Sequence, residues 1–332
     1  MNKFIEQLQD SDKRIAIPIM THPGIEAIGK KVIDAVTDGE VHYQAIKQVT
    51  ETYPTTACTV VMDLTVEAEA FGCAISMPEH EEPSVTGRLV YDEETVNSLQ
   101  VPSLSAGRMP EYLKANRLAV ENIKDKPVLS GCIGPFSLAG RLYDMSEIMV
   151  GIYIEPDVVK TLLDKCTAYI TAYCRELKAI GATGVIMAEP AAGLLSNEDC
   201  QEYSTVYVRQ IVEAVQDENF AVILHNCGNK GQCTQAMIDS GAAALHFGNA
   251  VNMVETLEQC PSDLIVMGNI DPVGILKQAT SEEVYRITTD LLSKTSQYKN
   301  FVISSGCDMP PLVPDANIKA FYQAIADFNI GK

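Results

Sequence analysis

The sequence predicts an α/β protein: a (β/α)₈ barrel, one domain over residues 1–332, with an extended connection between the second strand and the second helix. Three observations predict it. Short β-rich runs recur eight times, each followed by a helical pattern. Most of the runs are continuously apolar rather than alternating, as strands are when neighbours and helices cover both faces. The rival architecture, a doubly wound nucleotide-binding sheet, lacks its fingerprints: no G-x-G-x-x-G follows the first run and no G-x-x-x-x-G-K-[ST] occurs.

The predicted strands, in order, are Arg14–Met20, Ala57–Asp63, Pro127–Cys132, Gly184–Glu189, Ala221–His225, Ala243–Phe247, Leu264–Asn269 and Phe301–Ser305. Between the third and fourth, Pro156 opens a helix. Val159, Leu162, Leu163, Cys166, Ile170, Tyr173, Cys174 and Leu177 follow at three- and four-residue steps, and Gly181 ends it. Ser281 before Glu282 and Glu283, and Asn197 before Glu198 and Asp199, read as caps followed by first-turn acids that suit the helix dipole. The stretch Leu64–Lys126 carries Pro78, Pro83, Pro102 and Pro110 and reads as a long βα connection, a lid or pocket wall rather than a second domain.

Composition narrows the partners. The chain has 25 basic and 44 acidic residues, a net charge of −19, which disfavours a nucleic-acid groove or an anionic membrane surface. No apolar run approaches the roughly 20 residues that span a bilayer. Met1 to Asp10 is polar, without a signal-peptide core. Ten cysteines in so large a chain without an export signal read as reduced thiols of a cytoplasmic enzyme.

Barrel active sites lie where strands end. The residues at those exits are Thr21 and His22, Asp63, Gly134 and Pro135, Glu189, His225 and Cys227, His246, Asn269 and Asp271, and Cys307 and Asp308. The sharpest set is His225-Asn226-Cys227 with Cys307. An H-x-C at a strand exit aims both side chains at one point once the backbone leaves strand geometry, and Gly228 permits the bend. One His and two Cys make a three-ligand zinc site with an open fourth position, the catalytic arrangement rather than the four-ligand structural one. The competing reading is two buried thiols and a hydrogen-bonded histidine, since free cysteine is among the most buried residue types. A zinc carrying two thiolates keeps little positive charge; it suits holding a substrate thiol as a thiolate, and hence alkyl transfer to sulfur.

At this point the motifs resemble a known family. They are Val61-Met62-Asp63-Leu64 followed by Glu67-Ala68-Glu69-Ala70-Phe71-Gly72, Gly134-Pro135-Phe136-Ser137-Leu138-Ala139, and Glu189 through Ser196. They continue with His225-Asn226-Cys227-Gly228, Gly268 through Val273 and Gly306-Cys307-Asp308. Over essentially the whole chain the sequence resembles the uroporphyrinogen decarboxylase superfamily, in its methylcobamide:coenzyme M methyltransferase branch. The resemblance implies a (β/α)₈ barrel and zinc held by His225, Cys227 and Cys307. It also implies methyl transfer from a methylated corrinoid, a methylcobamide carried by a small corrinoid protein, to a small thiol such as coenzyme M. The decarboxylase branch fits less well. Its first strand leads into an R-x-A-G-R segment that handles substrate carboxylates, whereas here Thr21 to Lys30 contains no arginine. The methyltransferase branch often has an acid after the sixth strand. Here His246-Phe247-Gly248-Asn249-Ala250 has none, leaving water, Asn249 or His246 as the resting fourth ligand.

The remaining exit residues carry two readings each. Asp63 either accepts from substrate or a ligating imidazole, as a catalytic-site acid, or caps its loop. Glu189 either orients the corrinoid or the thiol, or pairs with a base. Gly134 and Asn269 are the candidates for contacting the corrinoid, Gly134 otherwise being a turn. His22 is a loop histidine or a site residue, and Asp271 caps a helix at Pro272. Cys166 and Cys174 belong to the core, and Cys233 falls in the next helix, pointing away. Two other functions remain: a tetrapyrrole decarboxylase in the same barrel, and a non-catalytic corrinoid- or metal-binding partner of a methyl-transfer complex.

Overall fold

The computed structural model describes residues 2–61 and 63–331; Met1, Met62 (in the second predicted strand) and Lys332 lie outside the described residues. Nine strands occur among them: β1 (Cys58–Thr59), β2 (Ala74–Ser76), β3 (Ser84–Thr86), β4 (Val128–Ile133), β5 (Gly184–Ala188), β6 (Ala221–Asn226), β7 (Ala244–Phe247), β8 (Ile265–Ile270) and β9 (Phe301–Ser305). Seven form one curled parallel sheet in the order β1-β4-β5-β6-β7-β8-β9; β2 and β3 pair antiparallel inside the long connection. The strand order runs one way along the chain and never reverses. A doubly wound sheet has a reversal at its switch point, so that rival is excluded.

The first predicted strand, Arg14–Met20, is not a strand. It contributes one parallel bridge, Ala16 to Ile303. Pro18 supplies the reason, because it has no N–H for a ladder. The neighbouring groups bond to both sheet edges all the same. Ile17 N donates to Ile303 O at 3.0 Å, and Thr56 N donates to Ala16 O at 3.1 Å. Past the proline, side chains replace the ladder: Ile19 N donates to Ser305 Oγ and Met20 N to Thr59 Oγ1. The second predicted strand shrinks to Cys58–Thr59 for a similar reason, Val61 N being diverted to His42 Nε2 at 3.2 Å.

The helical predictions hold with one-residue shifts. The helix Pro156–Ile180 buries the foreseen stripe and ends at Gly181 with φ 100°. Its neighbours start on Ser196 and Thr280 rather than Asn197 and Ser281, because those hydroxyls accept from the third backbone N–H of each helix. No helix among the described residues is long and apolar enough to cross a membrane.

Alternate positions of the strands build the inner face. Leu129, Ile186, Ile223, Ala244, Met267 and Val302 pack into one apolar layer with Ile17 and Ile19. The helix Lys3–Gln9 adds Phe4, Ile5 and Leu8 to that layer, tied beside the strand starts by Lys3 N to Glu218 O. Burying such a side chain contributes about 1.5–3 kcal/mol. This end is therefore apolar, and the polar chemistry is left to the other end, where the strands exit.

Candidate metal centre

His225 lies on β6 with the same inward parity as Ile223, one layer above the apolar core, and is 1% exposed. Two residues on, the chain has left the strand and Cys227 turns back over the same opening. Cys307 reaches it from beyond β9. The ligand atoms of His225, Cys227 and Cys307 all lie within 4.8 Å of one another. His225 Nε2 is buried and has no hydrogen-bond partner. A buried polar atom left unpaired is costly, so an orphan on a ring clustered with two thiols fits a cation better than it fits a packed core. The two sulfurs act on each other: Cys307 lowers the Cys227 thiol below its ordinary value, while Cys227 and then burial push Cys307 well above it, against an opposing influence from His225.

Gly228 does not supply a left-handed bend. It gives room: a Cβ there would sit 2.4 Å from Pro190 O, the carbonyl of the loop after β5. A side chain would force apart the two loops that hold Cys227 in place.

The other ring nitrogen of His225 is engaged. Its Nδ1 lies 2.8 Å from His246 Nδ1, and His246 Nε2 lies 2.8 Å from Ser304 Oγ. Register explains the first contact, since His225 and His246 are paired positions on β6 and β7. Burial, and then His225, push His246 well below the ordinary histidine value. Both nitrogens of His246 are thus occupied, which removes it as a fourth ligand.

The exits of β1, β4 and β5 differ. Asp63 Oδ2 accepts from Arg108 Nη1 at 2.5 Å and from Tyr112 Oη at 2.9 Å; Oδ1 accepts from Thr65 N and Thr65 Oγ1. The capping reading describes these contacts, with an added ion pair. Glu189 is 1% exposed and caps the helix Pro135–Tyr143: Oε1 accepts from Phe136 N at 2.7 Å and Ser204 Oγ at 3.0 Å, Oε2 from Ser137 N at 2.9 Å. Burial raises its carboxyl above the usual range even against these donors. Neither acid meets the three-ligand cluster. Gly134 serves Glu189, since a Cβ would fall 2.4 Å from Glu189 Oε2. Asn269, on β8, anchors the loop after β7, Nδ2 donating to Gly248 O at 3.0 Å and Val251 O at 2.9 Å. Asp271 caps the turn after it, as expected. Cys166 and Cys174 are core, and Cys233 sits at a helix start with its sulfur on Ala192 O and Leu195 O, away from the cluster.

The residues missed in the sequence are Arg108, Tyr112 and Ser304. The first two lie in a helix and its lead-in within the long connection, and nothing in their spacing announces Asp63. Ser304 was inside a strand run and drew no notice.

His22, Glu82 and Asp308 also bring ligand atoms within 4.8 Å. His22 Nε2 lies 3.1 Å from Glu82 Oε1 and 3.9 Å from Asp308 Oδ2. A metal-bound imidazole normally hands its second N–H to an acceptor, but His22 Nδ1 is buried without one. The set is an ion-pair latch joining the long connection to the first exit. Burial is the largest influence on His22 and lowers its proton affinity, but the carboxylates outweigh it and the net shift is upward.

Comparison with known proteins places the chain in a family. The family model for uroporphyrinogen decarboxylase matches residues 14–328. Methylcobamide:CoM methyltransferase MtbA of Methanosarcina mazei is 29% identical over 276 residues, covering 82% of this chain and 80% of the relative. Uroporphyrinogen decarboxylase of Legionella pneumophila is 24% identical over 285 residues, covering 83% and 80%. A solved methyltransferase from Methanosarcina mazei superposes with a TM-score of 0.88 at 22% identity, over 98% of both chains, and so shows the same fold. The resemblance to the methyltransferase branch is borne out, and the chain belongs to the uroporphyrinogen decarboxylase family.

Proposed function

We propose that the chain is a cytoplasmic zinc-dependent methyltransferase that moves a methyl group from a methylated corrinoid to a small thiol. The observation that carries this reading is the convergence of His225, whose buried Nε2 is unpaired, with the thiols of Cys227 and Cys307. Those three residues would hold zinc and leave one position open for an acceptor sulfur. Zinc bound there would lower the acceptor's pKa and so supply a thiolate near neutral pH. The chain's part is positioning. β6 and the exit of β9 fix the three ligands, and the capped, ion-paired exits of β1, β4 and β5 hold the opposite wall rigid. In the transfer a carbon–sulfur bond forms, the cobalt–carbon bond breaks with both electrons staying on cobalt, and the thiol proton leaves.

The methyl donor would be a methylcobamide on a small corrinoid protein, and coenzyme M is the acceptor named in the relatives. Residues 1–332 would make one domain, with 14–20 completing an eight-membered barrel across the gap between β9 and β1. Asp63 and Glu189 would then be wall supports, and Gly134 and Asn269 spacers of that wall, rather than contacts to substrate. A decarboxylase reading has no supporting arginine after the first strand, and Arg108 is already taken by Asp63 and Glu69.

The test is metal analysis with methylcobalamin turnover against a panel of thiols. The wild-type protein is expected to hold about one zinc per chain and to methylate at least one thiol, and Cys307→Ala is expected to lose both properties. A Cys307→Ala protein that kept zinc and activity would overturn the reading.

A further inference from the structure

We propose that His246 and Ser304 are positioning residues that fix His225 in the tautomer with a proton on Nδ1, so that a bare Nε2 lone pair faces the two thiols. The inference rests on the proposed metal site but is carried by hydrogen-bond bookkeeping alone.

The chain of contacts starts on the backbone. Ser304 Oγ lies 2.7 Å from Ile17 O, a carbonyl that has no proton to give. The single hydroxyl proton must therefore lie on that line, or two lone-pair oxygens would face each other at close range. With its proton spent, Ser304 Oγ can only accept from His246 Nε2 at 2.8 Å, so that nitrogen carries a hydrogen. The remaining contact, His246 Nδ1 to His225 Nδ1 at 2.8 Å, needs one proton between two nitrogens. If His246 supplied it, His246 would be an imidazolium at 0% exposure. Its partners would then be a hydroxyl and another imidazole, neither of them an anion. An uncompensated buried charge is strongly disfavoured. The proton therefore belongs to His225 Nδ1, and His225 Nε2 is left as an acceptor. That is the nitrogen with no partner, on a ring that brings a ligand nitrogen within 4.8 Å of both sulfurs.

Sequence and fold account for each link. His225 and His246 share parity and register on adjacent strands, so their rings meet edge to face with centroids 4.6 Å apart. Ser304 is on β9, and Ile17 belongs to the proline-interrupted run that forms no regular strand. The irregularity of that run is thus what frees a carbonyl to anchor the relay. Second partners of metal-bound histidines typically act in this way, setting the tautomer and raising ligand basicity.

The experiment has two readouts. Long-range ¹H–¹⁵N correlation spectra of the metal-free wild-type protein, which has only five histidines, report which ring nitrogen is protonated. The expected result is His225 protonated on Nδ1 and bare on Nε2. A His225 carrying its proton on Nε2 would overturn the proposal whether or not zinc binds. Chelator-competition titration then compares wild type with His246→Leu, His246→Asn and Ser304→Ala. His246→Leu is expected to weaken zinc binding about 10- to 100-fold. In His246→Asn the amide oxygen stands where Nδ1 was and should recover most of the loss. Wild-type affinity in His246→Leu, or an equal deficit in His246→Asn, would reduce His246 to a packing residue and overturn the proposal. No zinc binding by the wild-type protein, with the expected tautomer present, would sink the metal reading while leaving the relay standing.

Discussion

Two sectors of the same rim carry similar side chains and end in opposite states. Where β1, β4 and β5 exit, Asp63 and Glu189 have donors on both oxygens, from a guanidinium, hydroxyls and backbone N–H groups. Where β6 and β9 exit, a buried imidazole nitrogen and two thiols face one another with no outside partner for the nitrogen. Polar groups with all their bonds made stabilise the fold; a buried polar atom left short of a bond calls for a reason, and beside two thiols a cation supplies one. The acids make their bonds within the chain, whereas the imidazole nitrogen of the trio has no partner there. Glu67 qualifies the contrast, as His22 Nδ1 does. It sits in the satisfied sector, accepting from Ile133 N at 3.0 Å through Oε1, yet its Oε2 is buried with no partner.

The largest effect expected from this contrast is on stability in the satisfied sector. Arg108→Met leaves Asp63 as a buried charge without its cation and should cost about 3–5 kcal/mol. Denaturant unfolding measures it, and zinc stoichiometry is expected to stay unchanged. A variant as stable as wild type would show that Asp63 does not depend on the ion pair.

Next is a pH effect at Glu67, whose carboxyl burial raises from 4.5 to about 7. The folded chain therefore holds a proton that the unfolded chain releases. Stability should fall as pH rises from about 4.5 to about 7 and level off above, by on the order of 3 kcal/mol at most. Glu67→Gln keeps an acceptor for Ile133 N and cannot ionise. It should flatten that part of the profile, and an unaltered slope would place the pH dependence elsewhere.

A smaller loss is expected for Glu189→Gln, which sets an amide NH₂ against donors that now meet oxygen. About 1–3 kcal/mol should be lost, with metal affinity intact. Loss of metal at wild-type stability would instead move Glu189 into the reactive sector.

The smallest effect belongs to the thiol sector. In metal-free protein Cys227→Ala should change stability by less than about 1 kcal/mol, because the thiol makes no bond on which the fold relies. A loss of several kcal/mol would mean that the sulfurs are core after all.

Much of this was legible in the sequence because it is local. Continuous apolar runs between helical stripes gave the strand–helix alternation, and Pro156 and Gly181 bounded a helix by backbone constraints that no distant residue can change. The H-x-C at one strand end and the cysteine at another marked the candidate ligands, since their chemistry is carried by residue type. What was not legible depends on partners far apart in the chain. Pro18 is plain in the sequence, but that the groups around it bond to both sheet edges is not. Asp63 stood between a site acid and a loop cap until the fold brought Arg108 beside it, and Glu189 between a site acid and an ion pair until a helix start was placed on its oxygens.

The sequence by itself determined the alternation of elements, the apolar faces and the kinds of atom available at each strand exit. Only the tertiary structure decided which of those atoms are spent. Hydrogen bonds and ion pairs saturate, so a polar group's role follows from whether its partners arrive, and arrival is a matter of strand order, register and loop approach rather than of any local pattern. His225 and His246 look equivalent along the chain. One keeps a nitrogen without a partner and the other spends both, because β9 places Ser304 beside only one of them.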